Sequence, residues 1–381
     1  METAARRQAL RLAAWALEQR LNADTSDHMG PQLPCACGAA ALYHGRRCKT
    51  FASVLGLLHL ERAYYHCAQC QSGSCPRDRI LGLGLFSLTP GVAESLGAEI
   101  ARAECERVEK VDSPTPTMYL GMDGTGVPMR PQEVAHRAGK QADGSAKTRE
   151  AKLVTVWTAE SRDEEGKPVR DPGSVTYSAA IESAATPDTS PEMSAFAERV
   201  IREANRRAFT QAPRQVVLGD GAAWIWNTAA ELFPQAILIL DRFHAKEHLS
   251  KVGKAIYGDS IEAQKWIQLQ YDKLDEERLA YLVQALRPHA GQSKEARDCI
   301  HYIWANRRRM RYLKFRKQGL CIASGVVEAG CKVVIGTRLK RAGMHWTVNG
   351  ANAIIALRCN KLSGRFEDFW QDRSDQFKVA A

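Results

Sequence analysis

Residues 117–128 read TMYLGMDGTGVP. The first six form an apolar run of strand length ending at Asp123, and two glycines follow within three positions. A carboxylate at the end of a strand is well placed to hold a cation, and small residues beside it let a phosphate approach the backbone. A plain strand-to-turn Asp has the same local signature, so this stretch alone leaves both readings open. The stretch VVLGDGAAW (Val216–Trp224) repeats the pattern of apolar strand, Asp220, glycine and helix. Two such junctions are harder to dismiss as ordinary turns.

Around these junctions the rhythm is that of an α/β unit. Lys152–Thr158 and Val175–Ile181 are strand-like, and the charged, Gly- and Pro-containing loop between them suggests a hairpin. Pro191–Phe209 has helical spacing with a start signature at Ser190. Gln215–Leu218 and Ala236–Leu240 are buried-strand runs flanking a helix at Ala222–Leu232. Three strands followed by helix, strand, helix, strand is the order of an RNase H-like core. Beyond His244 the chain is helical to about Arg316, and a last helical region begins at Ser324. The domain division expected is an N-terminal amphipathic helix (1–30), a cysteine-held module (31–86), a helical linker (87–116), the first part of the core (117–250), a helical insertion (251–320) and C-terminal helices completing the core (321–381). The polar stretch Asn22–Pro34 reads as a linker within the first two.

Glu328, in SGVVEAGCK, sits where Ser324 and Gly325 can open a helix that carries it inward. Two strand carboxylates and one from a later helix can bind two magnesium ions, which prefer hard oxygen ligands. Such a pair activates a water or 3′-hydroxyl for in-line phosphoryl transfer. From the residues alone the reading stops at a metal-dependent nuclease or transferase.

Composition agrees with a polyanionic partner. Lys and Arg total 53 against 43 Asp and Glu, for a formal charge of +10. NRRRMRYLKFRK (Asn306–Lys317) interleaves Arg307, Arg308, Arg309, Arg311, Lys314 and Arg316 with Tyr312 and Phe315. It suits phosphate contacts with stacking on unpaired bases, or equally a solvated helix face with its apolar residues turned inward. Arg338, Lys340, Arg341 and Trp346 follow Glu328. Trp346 could stack on a flipped base or simply be buried. No apolar run approaches the roughly 20 residues of a membrane span.

Six of the eleven cysteines fall between Cys35 and Cys75. Without a secretion signal this favours metal binding in a reducing cytoplasm over disulfides. Cys35-x-Cys37 and Cys67-x-x-Cys70, about thirty residues apart, would hold zinc in a ribbon-like module, with Cys48, His66 and Cys75 as substitutes. His244-x-x-Glu247-His248 formally matches a zinc-peptidase motif and offers a rival enzymatic reading.

MDGTGVP, LDRFHAKEHL, GLCIASGVVEAGCK, TRLKRAGMHW and, in the cysteine module, RAYYHCAQC resemble transposases of the ISKra group of bacterial insertion sequences, relatives of Mutator-type enzymes. The resemblance covers most of the chain. It implies that Asp123, Asp220 and Glu328 are a DDE triad holding two magnesium or manganese ions. It also implies DNA strand transfer on element ends and target, action as a homo-oligomer on DNA, and a place with the nucleoid in the bacterial cytoplasm. Asp241 and His244 would support the site, although a helix cap at Asp241 explains that residue equally well. The relatives carry a longer helical stretch before the first Asp than Ser87–Lys110 supplies. A shortened copy acting only as a DNA-binding protein is therefore the alternative.

Overall fold

The computed structural model describes residues 2–53, 56–81, 90–106, 115–135, 137–139, 141–184, 192–323 and 325–379. The chain divides into two compact units, Met1–Val92 and Ala93–Ala381.

In the first unit a helix (Glu2–Ala23) accompanies a four-stranded antiparallel sheet of β1 (Gln32–Pro34), β2 (Ala40–Ser53), β3 (Gly56–His66) and β4 (Gly73–Ser74) in that order. Its apolar clusters are small. Leu58 and Leu60 are buried with Ala14 of the helix, and Ala41, Ala63, Tyr65 and Cys67 form a second group. The stretch Asn22–Pro34, expected to be a linker, is stitched to the sheet. Asn22 accepts from the Glu61 N–H and donates to the His59 carbonyl. Asp27, only 1% exposed, accepts from the Ala63 N–H at 2.8 Å and pairs with Arg46 and Arg77. A buried carboxylate needs such partners, and they hold the segment in place.

The second unit is built on β5 (Thr117–Pro128), β6 (Thr148–Thr158), β7 (Thr176–Ala180), β8 (Arg214–Gly219) and β9 (Ile237–Leu240), in the spatial order β7-β6-β5-β8-β9. β6 runs antiparallel to both β5 and β7, whereas β8 and β9 are parallel to β5. Leu120, Met122, Val154, Val156, Val216 and Leu218 are buried, as continuous apolar strands covered on both faces must be. The edge strand β7 is covered by the Val348–Leu362 helix: its Tyr177 N–H donates to Ser363 Oγ, and the Ile181 N–H just beyond it donates to Asn352 Oδ1. The helix expected from Pro191 runs over Ala195–Arg206 instead, because Ser194 is the residue whose hydroxyl caps it through the Ala197 N–H. Ser190 lies outside the described residues.

Asp123 is not at a strand end, as the sequence suggested. β5 continues through both glycines to Pro128, pairing Asp123 with Leu153 and Pro128 with Thr148. The glycines serve the sheet here. The Glu150 side chain fills the space a Cβ at Gly124 would need, and Thr148 Oγ1 lies 3.0 Å from that of Gly126.

After β9 come the helices Arg242–Tyr257, Ile261–Asp275, Leu279–Leu286, Lys294–Asn306 and Tyr312–Lys317. The helix opening at Gly325 widens into a π-helical segment over Cys331–Gly336 before closing at Thr337–Leu339. Among the described residues, no helix is long and apolar enough to cross a membrane.

Candidate active site and metal centres

Strand register gathers the acidic residues. In the parallel pair, Met118 lies opposite Gln215 and Gly121 opposite Leu218. Carrying that register two residues further aligns Asp123 with Asp220. On the other side Gly219 pairs with Leu240, so the next step aligns Asp220 with Asp241. Three carboxylates thus follow one another across three adjacent strands, Asp123 within β5 and Asp220 and Asp241 one residue beyond the ends of β8 and β9. Asp241 is fully buried and caps the next helix, accepting the His244 N–H at 2.9 Å. One oxygen of Asp220 accepts the Ala222 N–H at 2.9 Å, and one of Asp123 accepts the Gly124 N–H at 2.7 Å.

Glu328 arrives on the Gly325–Gly330 helix, which packs across β5 and β6. Gly121, two residues before Asp123, lets the helix in: a Cβ there would strike Val327. Gly330 does the same on the other side, where a Cβ would meet Leu153 at 2.8 Å and Tyr177 at 2.9 Å. The segment entering the helix is fixed by the Cys321 N–H on Tyr119 Oη at 3.2 Å and by the Arg242 N–H on the Ile322 carbonyl at 3.0 Å. Replacing Gly121 with Ala is expected to displace Glu328 and destabilise the unit by about 1–3 kcal/mol, the usual range for overpacking. Thermal denaturation checks the stability. A variant that melts like the parent and retains its cation affinity would show that the close crossing is not required.

The electrostatics are those of crowded acids. Burial raises the pKa of Asp123; the Cys331 thiol and the Gly124 N–H oppose the rise, and the charge of Asp220 adds to it. Burial also raises Glu328, with the charge of Asp241 the next largest cause and that of Asp123 contributing. The charges of Asp220 and Asp241 thus bear on the ionisation of Asp123 and Glu328. Among the described residues, however, Asp123, Asp220 and Glu328 do not bring their oxygens within 4.8 Å of one another as a set. Hard oxygen donors whose charges oppose each other are the type of donor that a divalent cation relieves.

His244, Glu247 and His248 likewise do not gather their ligand atoms into such a set among the described residues. The ring of His248 lies flat on Tyr302 instead, centroids 4.0 Å apart.

The four thiols of the first unit do gather. Cys35, Cys37, Cys67 and Cys70 place their sulfurs within 4.8 Å of one another, with Cys35–Cys70 at 3.5 Å and Cys37–Cys67 at 3.6 Å. A tetrahedron with Zn–S bonds of about 2.3 Å has edges of about 3.8 Å. Backbone N–H groups point at three of the sulfurs: Cys37 at Cys35, Ala39 at Cys37 and Ser72 at Cys70. The Cys37 N–H and neighbouring groups pull Cys35 down to about 6, whereas at Cys37 the Ala39 N–H is outweighed by the crowded thiols, which push it up. Such donors stabilise thiolate ligands, and spacing alone could not reveal them. Cys48, exposed on β2, and the half-buried Cys75 are not members of the set.

The basic segment 306–317 is not one helix. The Lys294–Asn306 helix ends, Arg307–Arg309 forms a 3₁₀ turn, and a second helix covers Tyr312–Lys317. Tyr312 is fully buried and Phe315 5% exposed, so both aromatics belong to the core and neither offers a base-stacking platform. Arg307, Arg308, Arg311, Lys314 and Arg316 are exposed, with Arg316 paired to Asp275. Arg309 lies over the Trp226 ring at 4.5 Å. Lys340 contacts Thr125 on β5, beside Asp123, and Arg341 is exposed. Trp346 is half-buried, donates to the Leu339 carbonyl at 3.0 Å and carries Arg338 over its ring at 5.2 Å.

A family model described as an uncharacterised protein family (UPF0236) matches residues 193–371, just under half of the chain. That span includes Asp220, Asp241 and Glu328 and leaves out Asp123 and the cysteine module. No curated protein matches the chain. Among solved structures, the Drosophila P element transposase strand transfer complex aligns with 11% identity and a TM-score of 0.22, covering 71% of this chain and 69% of that one. A likeness of that size carries no argument about fold or activity.

Proposed function

We propose that this chain is a DDE-type DNA transposase with an RNase H-like core that cleaves and transfers DNA strands of a bacterial insertion sequence. What supports the reading is the parallel register of β5 and β8, paired as far as Gly121 and Leu218, which carried two residues further aligns Asp123 with Asp220, together with the helix bearing Glu328 that Gly121 admits against β5. The order β7-β6-β5-β8-β9, with β6 alone reversed among the five, supports an RNase H-like core. The ISKra-group motifs supply the substrate class.

Asp123, Asp220 and Glu328 would hold two magnesium or manganese ions, which when bound supply an activated water or 3′-hydroxyl and stabilise the departing oxygen. Asp241 and His244 would support these ligands, Asp241 by fixing the start of the helix that carries His244. Cys35, Cys37, Cys67 and Cys70 would hold a structural zinc. Arg307, Arg308, Arg309, Arg311, Lys314, Arg316, Arg338, Lys340, Arg341 and Trp346 would contact DNA. The active species would be a homo-oligomer on DNA at the bacterial nucleoid. The test is incubation of the protein with duplexes carrying its own element ends and Mg²⁺. Strand cleavage at those ends is expected; specific binding without cleavage would identify a DNA-binding remnant instead.

A salt titration tests the basic surface. Each phosphate neutralised contributes about −0.9 to the slope of log affinity against log salt on duplex DNA. Arg307 and Arg308 are exposed, Arg307 lying 5.9 Å over the Trp304 ring, whereas Arg309 is partly buried against Trp226. Replacing all three with Ala is expected to flatten the slope by about 2, weakening binding to all sequences alike. An unchanged slope would remove this segment from the DNA interface.

A further inference from the structure

The helical insertion reaches directly into the loop of the second carboxylate. Tyr302, on the Lys294–Asn306 helix, donates its hydroxyl to the Asp220 carbonyl at 2.7 Å. Its ring edge occupies the place a side chain at position 221 would take: a Cβ on Gly221 would lie 2.6 Å from Tyr302 Cε2. Gly221 has φ of +108°, a conformation side chains rarely adopt, so the loop turns away from the strand under the Tyr302 ring. One face of that ring is covered by His248, stacked at 4.0 Å with planes 24° apart. His248 comes from the Arg242–Tyr257 helix, whose N-cap is Asp241. Asp220 is thus gripped at its backbone carbonyl by Tyr302 and at its carboxylate by the Ala222 N–H.

We propose that Tyr302 is a positioning residue for Asp220, through which the helical insertion sets the affinity of the carboxylate site for its divalent cation. The inference rests on the reading of Asp220 as a metal ligand. A carboxylate on a loop must surrender conformational freedom when it binds an ion. The Tyr302 hydroxyl removes part of that freedom beforehand, which is how residues behind a metal ligand tighten binding by about 10–100-fold. A residue serving only as packing would act through its ring, and the ring survives in a phenylalanine.

Tyr302→Phe separates the two roles, because it keeps the His248 stack and the Gly221 contact while deleting the bond to Asp220. Mn²⁺ binding followed by electron paramagnetic resonance of the free ion reads the affinity without recourse to activity. A weakening of about 10-fold is expected, at the low end of that range because the Ala222 contact remains. The melting temperature should barely move, and excess Mn²⁺ should restore strand cleavage. Mn²⁺ affinity within twofold of the parent in a folded Tyr302→Phe protein overturns the inference. Should that variant fail to fold, Gly221→Ala, which pushes the ring away from the loop, must weaken Mn²⁺ binding in the same way, and unchanged affinity there overturns the inference too. Asp220→Ala is the control for the underlying reading. If it binds Mn²⁺ as the parent does, Asp220 is no ligand and both fall. If it loses binding while Tyr302→Phe does not, only the role of Tyr302 falls.

Discussion

Alanine at Asp123, at Asp220 or at Glu328 is expected to abolish magnesium-dependent strand cleavage while leaving DNA affinity largely intact. A fall of at least about a thousandfold, some 4 kcal/mol of transition-state stabilisation, is the scale expected when one ligand of a metal pair is lost. The variants should not fail by unfolding, and the electrostatics give the sign. The folded environment raises the pKa of Asp123 and Glu328, so each ionised carboxylate opposes folding at pH values above its unfolded pKa. That penalty fades as pH falls through the raised folded value. In chelator at neutral pH, Asp123→Ala should therefore melt no lower than the parent unless the lost packing outweighs the relieved charge, and Asp123→Asn, which keeps the shape, should melt higher. Functional sites commonly carry such a trade of stability for activity. Mg²⁺ should raise the melting temperature of the parent and not of the variants. Cleavage at parental rates by all three alanine variants would end the active-site assignment.

The stretch at Asp123 is no strand-to-turn junction, since β5 runs on to Pro128, but both acid–glycine patterns were legible because each is local: an apolar run, an acid and a glycine within nine residues. What joins them was not. The alignment of Asp123 with Asp220 is a property of parallel pairing between segments separated by β6, β7 and a helix, and no local pattern encodes that register. Asp241 illustrates the loss. It reads as a helix cap, which it is, yet register also puts it next to Asp220, where its charge is the strongest acidic influence on Glu328. Nothing in the sequence sets Gly121 apart; its purpose appears only when Val327 is seen to cross it.

The basic segment left two readings level. Arg and Lys interleaved with Tyr312 and Phe315 suit a base-stacking surface, and an apolar pair at i and i+3 is equally the mark of a helix face turned to the core. The burial of both rings decides for the core. Tyr302 gave no sequence signal at all. It is one aromatic in an amphipathic helix, and only the close approach of Gly221 distinguishes it from its neighbours.

Zinc removal is expected to unfold the Met1–Val92 unit. Its apolar clusters, small among the described residues, bury mainly alanines with Leu58, Leu60 and Tyr65. Each buried large side chain contributes only about 1.5–3 kcal/mol, against about 1–2 kcal/mol of backbone entropy for every residue ordered. Structural zinc supplies about 10–16 kcal/mol in small zinc modules, more than such clusters can. The four sulfurs join the chain at the β1–β2 connection to the end of β3, so one ion would close the sheet at the end where β4 adds only two residues. Elemental analysis should find one zinc per chain. A strong chelator, or Cys37→Ser with Cys67→Ser, should expose the β2 and β3 amides to hydrogen exchange, while the Ala93–Ala381 unit keeps its own melting transition. Cys48→Ser, outside the cluster, should change neither the zinc content nor the exchange. A metal-free protein whose β2 and β3 amides stay protected would show that the sheet stands without the ion, and that the four thiols are neighbours for some other reason.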